Sequence, residues 1–354
     1  MTNAVSLAQQ ASTGVSQGFK NRIINGAMVI DQRNAGAAVT ANGAFPVDRF
    51  TVSNGTDGTF SAQQDSSAPA GFIKSTKITI TAADTSLAAT QNLSFLQRIE
   101  GFNVADLNWG SANAKTITIS FWVNSSLTGT FGGALRNDNA NRSYPFTYSI
   151  SVANTWEQKS VTIAGDTSGT WATDNNAGIN LLFGLGAGVD RSGTAGAWNS
   201  NTNSSATGAV SVVGTLNATW YITGVQLEVG STATSFDYRP YTTELGLCYR
   251  YCYALYKEDN IVYGLGYYFT ASEVRTVIQM PVTMRTAPTI SYSGYTTFYR
   301  NGTNDANNIN SWTISYSTKN TAQMISGNSM SGTAGQSGNL YAAGGGQLIF
   351  LAEL

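Results

Sequence analysis

Residues 115–123 read KTITISFWV, and residues 219–229 read TWYITGVQLEV. In the first stretch Ile117, Ile119, Phe121 and Val123 take every second position, with Thr116, Thr118, Ser120 and Trp122 between them. A β-strand turns successive side chains to opposite faces, so this spacing predicts a strand buried on one side. The second stretch alternates likewise. Tyr221, Val225, Leu227 and Val229 are expected on one face, and Trp220, Gln226 and Glu228 on the other.

Outward from these two strands the period of two recurs more weakly at Phe50–Ser53, Phe72–Ile80, Leu93–Glu100, Tyr144–Ser151, Lys159–Ile163 and Asn180–Leu185. Asn-Gly and Asp-Gly pairs at residues 25, 42, 54, 57 and 301 punctuate the chain with residues that accept the backbone of tight turns. Many short strands separated by turns predict a sandwich or jelly roll. Helix is scarce. Thr242–Leu255 is the best candidate, capped by Thr242 or Thr243, and a brief turn is expected at Asn103–Leu107. Pro240 marks a boundary, beyond which strands resume at Ile261–Thr270, Val274–Met280, Pro288–Ser293, Ser311–Ser317, Ala322–Ser326 and Gln347–Ala352. Thr-Ile-Ser-Tyr-Ser occurs at 289–293 and again at 313–317, expected as neighbouring strands of one small sheet. The glycine-rich Ser331–Gly346 reads as a long loop. The predicted fold is all-β: a jelly-roll β-sandwich over 21–240, preceded by a segment 1–20, then a short helix and a smaller C-terminal β domain over 241–354.

Of 354 residues, 19 are Lys or Arg, 20 are Asp or Glu, and none is His. Charged residues make up 11%, against about a quarter in ordinary globular proteins. Without histidine there is no Ser-His-Asp or Cys-His constellation and no histidine-based metal site. A net charge of −1 with no basic cluster argues against binding nucleic acid through its phosphates. The first 17 residues lack a secretory pattern, and no apolar run is long enough to span a membrane. Synthesis in a cytoplasm, without a signal peptide or membrane insertion, is therefore expected. Cys248 and Cys252, four apart on the expected helix, would place their Cβ atoms about 5–6 Å apart. A disulfide wants about 3.5–4.5 Å, so two reduced, packed thiols are expected.

Asn21–Gly36 (NRIINGAMVIDQRNAG) and Ile222–Arg250 (ITGVQLEVGSTATSFDYRPYTTELGLCYR), with Thr128–Gly132, Arg142–Tyr144, Asn154–Lys159 and Gly165–Trp171 between them, resemble a cassette of bacteriophage tail-fibre and virion surface proteins. The likeness covers residues 21–255, and its opening turn and closing Val-Gln-Leu-Glu strand are similar to the paired first and last strands of carbohydrate-binding-module jelly rolls. The C-terminal third, with Pro281, Val282, Met284, Arg285 and Pro288 and the ending Ala-Glu-Leu, is similar to the small β tip domains that follow this cassette. The resemblance implies a homotrimeric tail fibre or receptor-binding protein on the virion surface. It would join other tail or head proteins through the N-terminal segment and attach to a host surface glycan without catalysis. A head fibre or decoration protein, and a polysaccharide depolymerase tailspike, are the alternatives. Cassette residues in such folds are mostly structural.

Neutral hydroxyl and amide surfaces suit glycans, which are held by hydrogen bonds and by stacking on aromatic faces. Trp122, Trp156 and Trp220 read as sheet-packing residues, whereas Trp109, Trp171, Trp198 and Trp312 adjoin loop-forming residues. Trp198, the one large aromatic in the polar stretch Ser192–Gly208, is a candidate contact for a ligand or a neighbouring chain. Tyr295, Phe298, Tyr299, Arg300 and Asn301 form a second candidate, either a recognition loop or trimer packing. Asn137–Asn141, Asp174–Asn176 and Asp305–Asn308 each supply a single carboxylate among amides, too few for a dedicated calcium loop. No metal, cofactor or catalytic residue is assigned. The acids are scattered, and the only adjacent pair, Glu258 and Asp259, reads as a solvated turn rather than the paired carboxylates of a glycosidase.

Overall fold

The computed structural model describes residues 19–255, 258, 260–302, 306–327 and 330–354. The expected attachment segment lies outside the described residues up to residue 18, as do Asp259 and Asp305.

Two five-stranded antiparallel sheets form the larger part. One runs β1 (Phe50–Asn54), β4 (Asn92–Glu100), β9 (Ala177–Ala187), β6 (Gly129–Arg136), β7 (Ser143–Ile150). The other runs β2 (Thr59–Asp65), β3 (Ser75–Ala82), β12 (Thr219–Val229), β5 (Ile117–Ser125), β8 (Glu157–Ile163). Apart from the hairpins β2–β3 and β6–β7, consecutive strands fall in different sheets, so the sheets are knit by crossovers. Their inner faces share one core, to which the first contributes Phe50, Phe95, Phe131 and Phe183 and the second Ile78, Phe121, Trp220 and Leu227. Phe95 meets Trp220 edge to face across the gap, ring centroids 5.8 Å apart. This is a β-sandwich.

In β5 the predicted face is the buried one: Ile117, Ile119, Phe121 and Val123 are fully enclosed. In β12 strict alternation fails. Trp220 and Ile222 are buried in the same core as Val225 and Leu227, because the register against β5 slips between Thr223 and Gln226. Gly224 makes this bulge with φ +61°, and a Cβ there would come within 2.6 Å of the Phe72 ring. One extra residue reverses the phase of everything before it, so Trp220 faces in and Tyr221 does not. The 21–26 turn takes over as partner beside the bulge: Arg22 N donates to Leu227 O at 2.8 Å and Val225 N to Gly26 O at 2.9 Å. Asn25 donates through Nδ2 to Ile30 O and Asp48 O and accepts from Ile30 N, all at 2.9 Å. The opening motif is thus a knot of satisfied buried polar groups.

The helix α1 covers Tyr241–Tyr249 with Pro240 at its cap, rather than starting under a threonine cap and running to Leu255. Cys252 belongs to strand β13 (Cys252–Ala254). Both thiols are free and buried, and burial pushes Cys248 well up.

β10 (Ser192–Gly193) pairs parallel with β11 (Ser205–Ala206) in a separate two-stranded sheet, and the strands after the helix form one sheet in the order β17 (Ala306–Ile309), β16 (Thr289–Arg300), β20 (Ser337–Leu351), β14 (Val262–Thr270), β15 (Glu273–Gln279), β19 (Thr321–Ser326), β18 (Trp312–Ser317), with β13 also on β20. The far edge curls back: Trp312 Nε1 donates to Thr296 Oγ1 at 3.0 Å, enclosing Tyr268, Phe298, Met324, Leu340 and Phe350. Most of the expected Ser331–Gly346 loop is therefore strand, bulged where Gly344 and Gly345 adopt φ +56° and +67°. The two Thr-Ile-Ser-Tyr-Ser copies fall in β16 and β18, with four strands between them rather than side by side.

Scarce charges concentrate where this sheet meets the sandwich. Glu353 accepts from Arg33 at 2.5 Å and from Arg49. Glu100 takes a bidentate pair from Arg250 and a 2.5 Å hydrogen bond from the Tyr251 hydroxyl. Arg285 donates to Asn175 O at 3.1 Å and to Glu353 O at 2.6 Å. Among the described residues no helix is long and apolar enough to cross a membrane.

Candidate functional site

Two one-turn 3₁₀ segments, Gly101–Asn103 and Ala105–Leu107, deliver the chain to Asn108, whose left-handed backbone (φ +53°) swings Trp109 outward. Facing it is the Gly165–Trp171 run. Arg142 fixes this run through two hydrogen bonds to Asp166, at 2.7 and 2.6 Å, and Gly110 N donates to Asp166 O at 2.7 Å. Trp198 closes the group from behind. Trp109, Trp171 and Trp198 meet pairwise edge to face with centroids 4.7, 5.3 and 5.4 Å apart, and Tyr144 packs on Trp198 at 5.2 Å. Each indole N–H is satisfied by a carbonyl: Trp109 on Lys115, Trp171 on Ser168, Trp198 on Ala164. Rings locked on both counts form a rigid aromatic block.

A cleft of about 240 Å³ opens on this block. Trp109 and Trp171 line it with Val104, and Asn108, Ser111 and Thr173 supply its polar groups. No charged side chain lines it. It is smaller than the roughly 300–1,000 Å³ of sites that enclose a drug-sized ligand, and suits one ring-sized neutral group. Trp198 does not line the cleft. It props the two tryptophans that do, which is a different placement from a loop contact. Trp109 lines the cleft instead, and the sequence signal for it is only its flanking Asn and Gly.

A second cleft, of about 330 Å³, has no counterpart among the site residues that the sequence singles out. Phe72, Phe236 and Tyr238 pack together with centroids 4.7–5.4 Å apart and line it with Ile73, Lys74 and Tyr241. The Phe-Asp-Tyr triplet 236–238 was the available signal, masked by its place within the closing motif.

The second predicted cluster is not a loop. Tyr295, Phe298, Tyr299 and Arg300 lie on β16, and Asn301 follows it, its N–H on Ser337 O at 3.0 Å. Alternation divides them: Phe298 is fully buried against Tyr268, while Tyr299 stands on the outer face, edge to face with Tyr341 at 5.0 Å. Phe298 is a packing residue because it is on a strand and points inward. Tyr295 lies over the Gly344 bulge.

Two of the three oxygen-rich segments use their oxygens on themselves. Asn137 Oδ1 accepts the N–H groups of Asn141 and Arg142, and Asp174 accepts from Asn176 N and Nδ2. No group of three or more Cys, Asp or Glu that could hold a metal occurs among the described residues. Burial pushes the Asp48 carboxyl up to about 6, against the opposing pull of Arg33 and Gln32, but Asp48 is fully enclosed. Glu100, Asp166, Glu244 and Glu353 are all engaged with arginines.

No family model matches the sequence, and no curated protein matches it. Solved structures do match. The enzymatically active domain of tailspike protein 4 of bacteriophage CBA120 aligns with a TM-score of 0.32 at 14% identity, over 60% of this chain and 22% of that one. A family 11 carbohydrate-binding module from a cellulosomal cellulase of Clostridium thermocellum aligns with a TM-score of 0.26 at 15% identity, over 56% of this chain and 99% of that one. A putative sugar binding protein from Bacteroides thetaiotaomicron aligns with a TM-score of 0.31 at 12% identity, over 59% of this chain and 100% of that one. This chain spans about a fifth of the tailspike domain.

Proposed function

We propose that this chain is a non-catalytic attachment protein of a bacteriophage virion, a tail fibre or receptor-binding protein that holds neutral glycan on the host surface. The observation that carries the glycan reading is the tryptophan cleft. It offers a rigid aromatic wall beside an amide and two hydroxyls, with no charge, which is the chemistry a sugar ring needs: C–H groups against the indole, hydroxyls to Asn108, Ser111 and Thr173. The virion setting rests on the resemblance of residues 21–255 to the fibre cassette. Absence of catalysis is supported by the engagement of Glu100, Asp166, Glu244 and Glu353 with arginines and by the enclosure of Asp48.

The reading includes self-association. The outer face of the C-terminal sheet exposes Leu265, Tyr267 and Phe269 on β14, Val277 on β15, Tyr299 on β16 and Tyr316 on β18, with Leu265 and Tyr316 more than 70% exposed. Its nearby charges, Arg275 and Glu273, are paired with each other at 2.6 Å. An apolar face whose neighbouring charges are paired suits further copies of the chain, in keeping with a homotrimer.

The test is binding of the full chain to surface polysaccharide from a susceptible bacterium, with release of reducing ends followed in the same samples. Binding without release is expected, and Trp109→Ala should weaken it by about tenfold or more. Because Trp109 also packs on its neighbours, Thr173→Ala is the companion variant that spares the aromatic block. Binding indifferent to both variants would overturn the site, and new reducing ends would overturn the non-catalytic reading.

A further inference from the structure

Outside the tryptophan cleft, the outer face of the sheet β1-β4-β9-β6-β7 carries an arrangement that packing does not explain. Arg98 on β4 pairs in register with Asn180 on β9, and Asn180 with Arg136 on β6. Their chain neighbours Ile99, Ile179, Leu181 and Leu135 point into the core, so these three side chains stand in a row on the opposite face. Asn180 is 3% exposed. Its Nδ2 donates to Asn137 O at 3.2 Å, but its Oδ1 is buried with no hydrogen-bond partner. Arg136 has a buried Nε without a partner, and no hydrogen bond or ion pair to its guanidinium occurs among the described residues.

The surroundings raise rather than relieve this demand. Arg136 is held below the usual arginine range first by burial, then by the charges of Arg191 and Arg98, with only exposed Asp138 acting against them. A half-buried cation without an acceptor, beside a buried acceptor without a donor, is costly unless something supplies both.

The row is also walled. Ser143, next to Arg136 in register, donates through Oγ to Asn201 O at 2.7 Å, and Thr202 Oγ1 donates to Ala140 O at 2.7 Å. These bonds tie the Asn137–Asn141 turn to the 199–206 loop. Further along the face Ser205 lies flat on the sheet, where a Cβ at Gly132 or Gly184 would come within 2.3 or 2.6 Å of it. The two polar segments singled out in the sequence thus converge on one edge of the row.

We propose that Arg98, Arg136, Arg191 and Asn180 form a subsite for a carboxylated sugar unit, a uronic acid, within the bound glycan. Arg136 receives the carboxylate, Arg98 and Arg191 reinforce its field, and a sugar hydroxyl donates to Asn180 Oδ1. The proposal rests on the glycan-attachment reading and adds one acidic unit to an otherwise neutral ligand. A carboxylate alone would satisfy the arginines and leave Asn180 without a donor, so the hydroxyl is part of the recognition.

The experiment is calorimetric titration of the full chain with D-glucuronate, its methyl ester, D-glucose and inorganic phosphate, on the wild type, Arg136→Gln and Asn180→Ala. Glucuronate should bind at least about tenfold more tightly than the ester or glucose, and Arg136→Gln should remove that preference. Arg136→Gln should also leave the melting temperature unchanged or raised, because an unpaired buried charge is gone, and leave binding of neutral glycan at the Trp109 cleft intact. If that variant fails to fold, Arg191→Gln, on a surface turn, carries the same test with a smaller expected loss. Equal binding of glucuronate and its ester, a preference undiminished in Arg136→Gln, or glucuronate binding unweakened by Asn180→Ala, would overturn the subsite. Phosphate binding as tightly as glucuronate would overturn the sugar-acid assignment in favour of a simple anion hole. Loss of neutral glycan binding in the wild type would instead refute the attachment reading, which the glucuronate arm does not measure.

Discussion

Glu353→Gln removes one negative charge and keeps the length of the side chain that joins the C-terminal sheet to the sandwich. In the wild type this carboxylate lies between the guanidiniums of Arg33 and Arg49, whose side chains are 11% and 2% exposed. Breaking a buried pair by removing one partner costs about 3–5 kcal/mol, because the remaining charge stays buried. Some compensation survives: Arg49 still donates to Arg98 O at 2.6 Å and lies 3.5 Å over the Tyr251 ring, and Arg33 keeps the field of Asp48. The expected loss is therefore at the lower end, about 3 kcal/mol at neutral pH. Urea titration followed by tryptophan fluorescence reads it as a fall in midpoint at constant slope. The pH dependence supplies a second arm. Burial alone would raise the Glu353 carboxyl, but Arg49 and Arg33 outweigh it and hold the group below its ordinary 4.5. Its contribution is complete above that unfolded value and is lost as pH falls through the lower folded one. Wild type and variant should therefore converge in acid. A loss below about 1 kcal/mol at neutral pH, or a gap that persists in acid, would refute the reasoning.

Asp48 has the opposite sign. Its folded value of about 6 lies above its ordinary 3.8, so the folded state binds the proton more tightly and gains stability as pH falls through that window. Wild-type melting temperature should rise on going from about pH 8 to pH 5, and Asp48→Asn should flatten the rise, a difference of about 1.5 kcal/mol by pH 5, roughly half of the full shift. Gly224→Ala should destabilise by about 2 kcal/mol or more in the same urea assay, since the position combines a left-handed backbone with a Cβ clash on Phe72; a neutral effect would mean that the β12 bulge can slip. Leu265→Glu combined with Val277→Glu should shift the chain to monomer in light scattering after gel filtration, and an unchanged mass would show that this face is not the subunit contact.

How far the fold could be read depended on whether side chains were there to read. β5 was legible because every second residue is large and apolar. β6, Gly129–Arg136, and most of β20 do not read as strands, since their glycines carry no alternation and only the neighbouring strands define them. β12 was seen as a strand, yet its N-terminal half was assigned the wrong face, because the bulge at Gly224 counts one residue that a period of two cannot. The tip cluster failed for the same reason in reverse: Phe298 and Tyr299 are adjacent in sequence and on opposite faces of β16.

The functional surfaces were less legible. Trp198 drew attention as a lone aromatic in a polar loop, but Trp109 lines the cleft and Trp198 supports it, a distinction made by packing between segments that the sequence holds far apart. The low charge content was read as neutral surface. The structure shows where much of that small complement goes: Glu353 reaches back 304 residues to Arg49 and 320 to Arg33, and Arg250 reaches back 150 to Glu100. Pairs so distant leave no local pattern. The Arg98–Asn180–Arg136 row is equally silent in the sequence, because each member sits on a different strand.

Competition for adsorption tests the central claim most directly. Susceptible cells are preincubated with the purified full chain before the particle that carries it is added, and free particles are counted. The attachment reading predicts that adsorption falls as the chain is raised, and that Trp109→Ala or Thr173→Ala protects far less well. Adsorption that proceeds unchanged in the presence of saturating wild-type chain would contradict it.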